Sequence, residues 1–267
     1  MIELNRIYNM DCLEGMKSIP DGSIDCIICD LPYGTTRNQW DSVIPLDKLW
    51  EQYERIIKPN GAIVLFSQQP FTSVLVASNL PMFKYEWIWE KRTSTGHLNS
   101  KFAPLKKHEN ICVFSKAAAS YVKDASKAMT YNPQWQKGKP YQSMNTPLGK
   151  NYDSKWDNPQ LTIQDGEHYF PKDIIKFNRD RDEERLHPTQ KPVELLEYLI
   201  RTYSNEEDTI LDNCMGSGTT AVACIKENRN FIGFELNEEY VNAAEQRIEE
   251  AKREAKIEVE MNKNKLF

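Results

Sequence analysis

The segment Asp30-Leu31-Pro32-Tyr33-Gly34 closes the apolar run Ser23–Asp30 with a carboxylate, a proline and an aromatic ring. Leu31 precedes a proline, which pushes its backbone into extended geometry, and the Pro32 ring fixes the next φ. The result is a rigid corner presenting the Asp30 carboxylate, the Leu31 carbonyl and the Tyr33 ring. Two acceptors beside a stacking ring suit a planar base with an exocyclic amino group. The plainer alternative is an ordinary strand-to-loop turn.

A second chemical segment is Thr209–Thr220, TILDNCMGSGTT: a strand ending at Asp212, then Gly216-Ser217-Gly218, then a helix. Glycines there let a backbone approach a ligand, and a helix N-terminus offers unpaired N–H groups. Glu235 ends the following strand, 19 residues after Gly216, where a carboxylate can accept both hydroxyls of a ribose. Gly216 to Ala221 also satisfies the G-x-G-x-x-A pattern of dinucleotide sites. Two features favour S-adenosylmethionine over that rival. Asp212 is placed to pair with an ammonium and would repel a diphosphate, and too little chain follows Gly218 for a second mononucleotide-binding half.

These segments need a sheet beneath them. Ser23–Asp30 and Ala62–Phe66 read as buried strands, with Leu46–Lys58 as an amphipathic helix between them, stopped by Pro59-Asn60-Gly61. Pro70–Ser78 reads as a helix, and Tyr85–Trp89 and Asn110–Phe114 as strands. Regular patterning then fades until Pro192–Tyr203, a helix with proline at its start. Thr209–Asp212 and Asn230–Glu235 are strands, while Thr219–Lys226 and Glu238–Lys256 are helices, followed by a frayed end over Met261–Phe267. Neither half has enough strands for its own doubly wound sheet, so one shared sheet is expected, with the irregular stretch projecting from it.

Charge separates that stretch from the rest. The 267 residues carry a net charge of -5, yet Lys91–Trp156 holds 11 Lys, one Arg and only three acids, a local +9. A basic middle between acidic flanks is the footprint of a polyanion partner. Tyr131, Trp135, Tyr141, Tyr152 and Trp156 lie among the lysines and could stack on bases. A solvated lysine-rich face is the alternative.

Other features exclude whole classes. No run approaches the roughly 20 apolar residues of a membrane span, and Met1–Met10 lacks the pattern of a signal peptide, so an intracellular protein is expected. The six cysteines are scattered through apolar runs, which argues for buried thiols in a reducing compartment. Cys26 and Cys29 form a CxxC without the second ligand pair zinc needs, and in a strand they point to opposite faces. Trp87 and Trp89, two apart in a strand, share one face and read as packing residues. His97 and His108 read as surface or DNA-facing groups rather than catalytic ones.

Taken together, the motifs resemble the DNA amino-methyltransferases of the permuted (β-type) order, in which the catalytic motif precedes the cofactor motif. Asp30–Tyr33 matches that family's Asp-Pro-Pro-Tyr, and Asp212–Thr219 (DNCMGSGT) its Asp-Pro-Phe-x-Gly-Ser-Gly-Thr. His187-Pro-Thr-Gln-Lys-Pro192 matches the element before the cofactor loop, and Glu235 the ribose-binding acid. The resemblance covers about residues 5–115 and 170–252. It departs at Leu31, which replaces the first proline, and at Asn213-Cys214, which replace Pro-Phe and remove a ring near the cofactor.

The resemblance implies an α/β, Rossmann-like methyltransferase fold with a mostly parallel sheet, circularly permuted motif order and an inserted target-recognition region. Residues 1–115 would form the catalytic half, 116–185 the DNA-binding insert, 186–256 the cofactor half and 257–267 a tail. It implies S-adenosyl-L-methionine as cofactor and no metal. Asp30 and the Leu31 carbonyl would accept the two amino hydrogens, on the corner made by Pro32, while Tyr33 stacks on a base flipped from the duplex. Asp212 would take the methionine ammonium, Thr189 and Lys191 its carboxylate, Glu235 the ribose, and Asp11 would lie near the adenine. Asp30, Cys214, Gly216, Ser217, Gly218 and Thr219 complete the expected cofactor site. Lys91, Arg92, Lys101, Lys137 and Lys139 are the cations expected on DNA.

Asp rather than Ser at position 30 favours adenine N6 over cytosine N4. A DNA-binding homologue with impaired catalysis is a further alternative, as is an amino-group methyltransferase acting on RNA or protein. Double-stranded DNA is the expected partner; a homodimer and a cognate restriction endonuclease stay open. The setting would be the cytoplasm of a bacterial, archaeal or phage-infected cell.

Overall fold

The structure is a computed structural model and describes residues 2–34, 43–120, 122–145, 160–178 and 190–264. Two compact units emerge: 1–132 joined with 173–267, and Pro133–Lys172.

The larger unit is built on an eight-stranded sheet. Its strands are β1 (Arg6–Asn9), β2 (Ile24–Asp30), β3 (Ile57–Ser67), β4 (Phe83–Thr95), β5 (Lys106–Phe114), β8 (Ile174–Lys176), β9 (Thr209–Asp212) and β10 (Asn230–Glu235), in the spatial order β1-β10-β9-β2-β3-β5-β4-β8. Only β5 runs against its neighbours, pairing antiparallel with both β3 and β4. The shared sheet expected from the sequence is present: β2 of the first half lies parallel to β9 of the second, with Cys26 opposite Ile210 and Ile27 opposite Leu211. Asp25 ties the start of this seam, accepting from the Thr209 backbone N–H at 3.0 Å and from Lys58 Nζ at 2.5 Å.

Among the described residues, six α-helices cover the two faces. Those on one side are α1 (Cys12–Met16), α2 (Leu46–Ile56) and α3 (Phe71–Ser78), whose Met16, Leu49, Tyr53 and Leu75 pack with Ile27, Cys29 and Leu65. On the other are α4 (Val193–Tyr203), α5 (Thr219–Lys226) and α6 (Glu238–Asn264), whose Leu199, Ala223 and Ala244 pack with Cys26, Ile28 and Val64. Cys26 and Cys29 thus fall on opposite faces, both fully buried as free thiols, and burial pushes the Cys29 thiol up to about 12. Trp87 and Trp89 share a face as expected, their indole N–H groups donating to the Tyr203 hydroxyl and the Phe177 carbonyl.

Several boundaries differ from the sequence reading. β3 begins at Ile57 rather than Ala62, because the strand absorbs Pro59 in a bulge: Ile24 pairs with Ile57, and the next aligned pair is Cys26 with Ala62. Proline has no N–H for a ladder and is tolerated at such a bulge. β4 and β5 extend into a long polar hairpin that lacks an apolar alternation. β1, α1 and β8 are new, each five residues or fewer. α6 continues to Asn264, past the expected fraying point.

The second unit, Pro133–Lys172, holds an antiparallel pair, β6 (Tyr141–Asn145) with β7 (Gln160–Gln164), and a bridge between Gln136 and Tyr169. The residues before it belong to the main body, where Met129 is buried and the Thr130 N–H donates to the Asn60 carbonyl. Tyr152, Trp156, His187 and Thr189 lie outside the described residues.

Ile27 is fully buried where β2 meets β9. Ile27→Ala should lower unfolding free energy by about 2–5 kcal/mol, measured by chemical denaturation; a loss below about 0.5 kcal/mol would show that this contact does not hold the halves together.

Candidate active site

The two motif segments meet because their strands end side by side on the carboxyl edge of the sheet. β2 delivers the 30–34 corner and β9 the glycine loop, and both line one cavity of about 870 Å³. Asp11, Asp30, Leu31, Pro32, Tyr33, Lys191, Asp212, Cys214, Gly216, Ser217, Thr219 and Glu235 are all on its wall. Gly218 is not; it serves the turn behind.

Hydrogen bonds accepted by two carboxylates shape the glycine loop. Asp212 is 4% exposed, its oxygens accepting from the Cys214 N–H at 3.0 Å and the Thr220 hydroxyl at 2.5 Å. Burial raises its pKa to about 6 despite those bonds. Glu235 accepts from the Gly216 N–H and the Asn237 N–H, both at 2.8 Å. Gly216 and Gly218 have φ of 53° and 80°. A Cβ on Gly216 would meet nothing within 4 Å, so that backbone faces open space, whereas one on Gly218 would lie 2.7 Å from the Ala244 Cβ. Gly218 is therefore required for the approach of α6 as well as for the turn. Asp11 caps α1 by accepting from the Leu13 and Glu14 N–H groups.

The departure at Asn213-Cys214 has a local explanation. Asn213 is 2% exposed; its carbonyl accepts from the Tyr53 hydroxyl, and its amide lies 3.6 Å from the sulfurs of both Cys12 and Cys214. A polar network anchored on α1 and α2 thus occupies the place of a proline and a ring. Arg247 of α6 also braces the loop, donating to the Ser217 carbonyl at 2.8 Å and to the Thr219 hydroxyl at 3.2 Å. Neither Arg247 nor Tyr53 carries a local sequence signal, since each reads as an ordinary residue of an amphipathic helix.

At the corner, the Tyr33 hydroxyl donates to Asp30 Oδ1 at 2.6 Å, and its ring packs against Phe71 with centroids 5.4 Å apart. Lys191 differs from expectation: its ammonium lies 2.6 Å from Asp30 Oδ2 and 3.3 Å from Glu109 Oε2, and 5.0 Å from the Phe66 ring centroid. A buried ammonium needs counter-charge at close range, and these carboxylates supply it. Burial alone would lower the Lys191 pKa, but Asp30 and Glu109 hold it above the ordinary lysine value.

Lys91, expected on DNA, also points inward, to Glu109 Oε1 at 3.0 Å. Lys107 and Lys176 turn to Glu90. Arg92 lines the cavity and Lys101 is exposed in the β4–β5 hairpin. In the separate unit, Lys137 pairs with Glu167 at 3.1 Å, and Lys139 is exposed while its carbonyl accepts from the Tyr169 hydroxyl.

The charges on the wall state what the cavity can hold. Asp11, Asp30, Glu109, Asp212 and Glu235 contribute five carboxylates, and two of the lining cations, Lys91 and Lys191, are already paired with two of them. Such a wall repels a diphosphate and favours a cation. Hydroxyl-accepting acids, an open glycine backbone and the apolar Phe234, Leu236 and Tyr240 fit a nucleoside carrying ammonium and sulfonium charges. No group of three or more His, Cys, Asp or Glu suited to a metal ion occurs among the described residues.

This sheet order, the glycine loop at its carboxyl edge and the acidic cavity define an S-adenosylmethionine-dependent methyltransferase. The chain belongs to the DNA methylase family, the N6 and N4 amino-methyltransferases, whose model matches residues 24–246. It is 29% identical to the type II methyltransferase M1.MboII of Moraxella bovis, over 91% of this chain and 96% of that protein. Similarity to the DNA adenine methyltransferase YhdJ of Escherichia coli K12 is 28%, over 93% and 84%. The M1.HpyAVI–SAM complex superposes with a TM-score of 0.58 at 26% identity, covering 91% of this chain and 98% of that one. The cytosine-N4-specific PvuII methyltransferase shares the fold, with a TM-score of 0.64 at 16% identity over 93% and 91%.

Asp212 generates a pH signature. Its carboxyl is held up at about 6, above the ordinary aspartate value of 3.8, so between those values the folded state binds more protons than the unfolded one. This group makes stability fall as pH rises from about 4 to about 6. In Asp212→Asn that component should vanish, flattening the stability profile across the window; chemical denaturation at several pH values checks this, and an unchanged slope would contradict it.

Proposed function

We propose that this protein transfers a methyl group to the N6 amino group of adenine within a specific sequence of double-stranded DNA, the target base being turned out of the helix into the cavity. The observation that carries the reading is the meeting of the Asp30–Tyr33 corner and the glycine loop on one wall. S-adenosylmethionine supplies an electrophilic methyl group for displacement by a nucleophile. Everything else falls to the protein, mostly as alignment.

Asp30 and the Leu31 carbonyl accept the two amino hydrogens, which holds the nitrogen in place and turns its lone pair away from the ring. Pro32 keeps the corner rigid, and Tyr33 both stacks on the base and fixes Asp30 through its hydroxyl. On the cofactor side, Glu235 faces the ribose and Asp11 the adenine end, while Asp212, Cys214, Gly216, Ser217, Gly218 and Thr219 form and shape the loop. Thr189 is the remaining candidate for the methionine carboxylate, since Lys191 is committed to Asp30 and Glu109. An amino group inside a duplex cannot reach such a cavity, so the base must leave the stack. Adenine is favoured over cytosine by the aspartate at position 30 and by the similarity to YhdJ.

The unit Pro133–Lys172, which is shorter at both ends than the insert expected over 116–185, reads the DNA, with Lys137 and Lys139 on the backbone and Arg92 and Lys101 contributing from the hairpin. Base readout from such a region would set the recognition sequence. We place the protein as the modification partner of a restriction endonuclease in a bacterial cytoplasm, in keeping with the type II relatives, and active as a monomer or homodimer on duplex sites.

Transfer of tritiated methyl to unmethylated duplex DNA, followed by nucleoside analysis, should yield N6-methyladenine; N4-methylcytosine would establish the alternative, and no product despite cofactor binding would refute catalysis. Asp30→Ala should lower the single-turnover rate at least about 100-fold while calorimetry shows cofactor affinity within about threefold. Wild-type rates in that variant would remove Asp30 from the mechanism.

A further inference from the structure

Glu109 has no part in the roles above, yet it completes the charge balance around Asp30. It lies on β5, lines the cavity and has a side chain only 14% exposed. Its Oε1 accepts from Lys91 Nζ at 3.0 Å. Its Oε2 is buried, 3.3 Å from Lys191 Nζ, and makes no hydrogen bond among the described residues. Lys191 donates to Asp30 Oδ2 instead, at 2.6 Å, while Tyr33 occupies Oδ1. Both oxygens of Asp30 therefore carry a donor already. An incoming amine competes with an ammonium for Oδ2, and a carboxylate paired to an ammonium is a weakened acceptor.

We infer that Glu109 is a positioning residue whose Oε2 receives the Lys191 ammonium when the target amine takes Asp30 Oδ2. This inference rests on the methyl-transfer reading of the cavity. The ammonium then swings between two carboxylates beside the Phe66 ring, whose face attracts a cation along the way. It keeps its proton and never stands unpaired in a buried setting, which would be costly. The group stays neutral throughout: Asp30 and Glu109 against Lys91 and Lys191. Glu109 suits the task because it remains ionised. Burial pushes its carboxyl up, but Lys191 and Lys91 outweigh that and hold it below the ordinary glutamate value. An acceptor with charge, proximity and an unused hydrogen-bonding position is what the swing requires.

The test compares single-turnover methylation of duplex DNA by the wild type and Glu109→Gln between about pH 6 and about pH 10, with cofactor and DNA dissociation constants measured alongside. The charged and titratable groups facing Lys191 are Asp30 from β2, Glu109 from β5, Lys91 through Glu109 from β4, and Tyr33 from the corner, with Cys29, Asp212 and Arg92 further off. In Glu109→Gln the ammonium has no second carboxylate and stays on Asp30. The rate should fall about 100-fold near neutral pH, with both dissociation constants within about threefold. Loss of the carboxylate also lowers the Lys191 pKa, so the variant should recover as pH rises and Lys191 gives up its proton, whereas the wild type stays flat there. Adding Lys191→Met removes the trapped ammonium and should speed the variant up, while Glu109→Asp, which keeps the charge, should retain the wild-type profile at reduced rate. A wild-type rate in Glu109→Gln, or a slow pH-independent rate that worsens with Lys191→Met, overturns the inference. A wild type that transfers no methyl to DNA removes the reading beneath it.

Discussion

The parallel pairing of β2 with β9 is the constraint on which the site depends. Only two register pairs join these strands, Cys26 with Ile210 and Ile27 with Leu211, yet they bring the first and last parts of the chain to one sheet edge. Parallel strands cannot be joined by a tight turn, and here the connection is most of the molecule. Asp25 reinforces the junction by holding the backbone of Thr209, 184 residues away, together with Lys58 of the neighbouring strand. The buried faces do the rest, since Ile27 and Ile28 enter opposite cores, each covered by its own three helices. Once this seam forms, the corner after β2 and the loop after β9 share a cavity whatever the chain order of their motifs.

That cavity is electrostatically expensive, and its cost is distributed. Asp212 is buried against its preference for water, and its carboxyl titrates near 6 in consequence. It persists because the Cys214 N–H and the Thr220 hydroxyl hold the loop around it. Glu235 serves the loop in the same way through Gly216, so two residues expected to touch a ligand are also structural ties of the glycine turn. At the corner the opposite arrangement holds. Asp30 and Glu109 are neutralised by Lys191 and Lys91, which makes that end balanced while the loop end stays acidic.

Much of this was legible where a local pattern carries the information. Thr209–Asp212, Thr219–Lys226 and Asn230–Glu235 have the bounds read from apolar runs and glycines, because a buried strand followed by a glycine turn and a helix is a short-range code. The corner at 30–34 is legible for the same reason, through proline geometry. The four-residue β1, the five-residue α1 and the polar hairpin arms carry too few apolar residues for a period to show. Least legible were the ion pairs. Lys91 reads as one more cation in a basic stretch, and Glu109 as a polar residue at a strand's start; that they face each other depends on the register of β4 against β5, which places Trp89 opposite Glu109. Lys191 likewise finds Asp30 from 161 positions away, and no local composition encodes that meeting.

The ion pairs also change what the basic middle means. Counting residues assigns a +9 charge to 91–156. Within the larger unit, however, Lys91 and Lys107 are spent on Glu109 and Glu90, neutralising side chains at the cavity wall and on the hairpin. Of the cations there without an ion pair among the described residues, Arg92 lines the wall, Lys101 and Lys106 lie on the hairpin, and Lys116, Lys123 and Lys127 follow β5. Potential therefore changes sign across a short distance: acidic at the glycine loop, balanced at Asp30, positive along the hairpin. A cationic cofactor and a polyanionic substrate must bring their reacting atoms together, and each is drawn to its own end of that gradient. On the proposed mechanism, the neutral ground between them, held by Lys191, is where the amino group comes to rest.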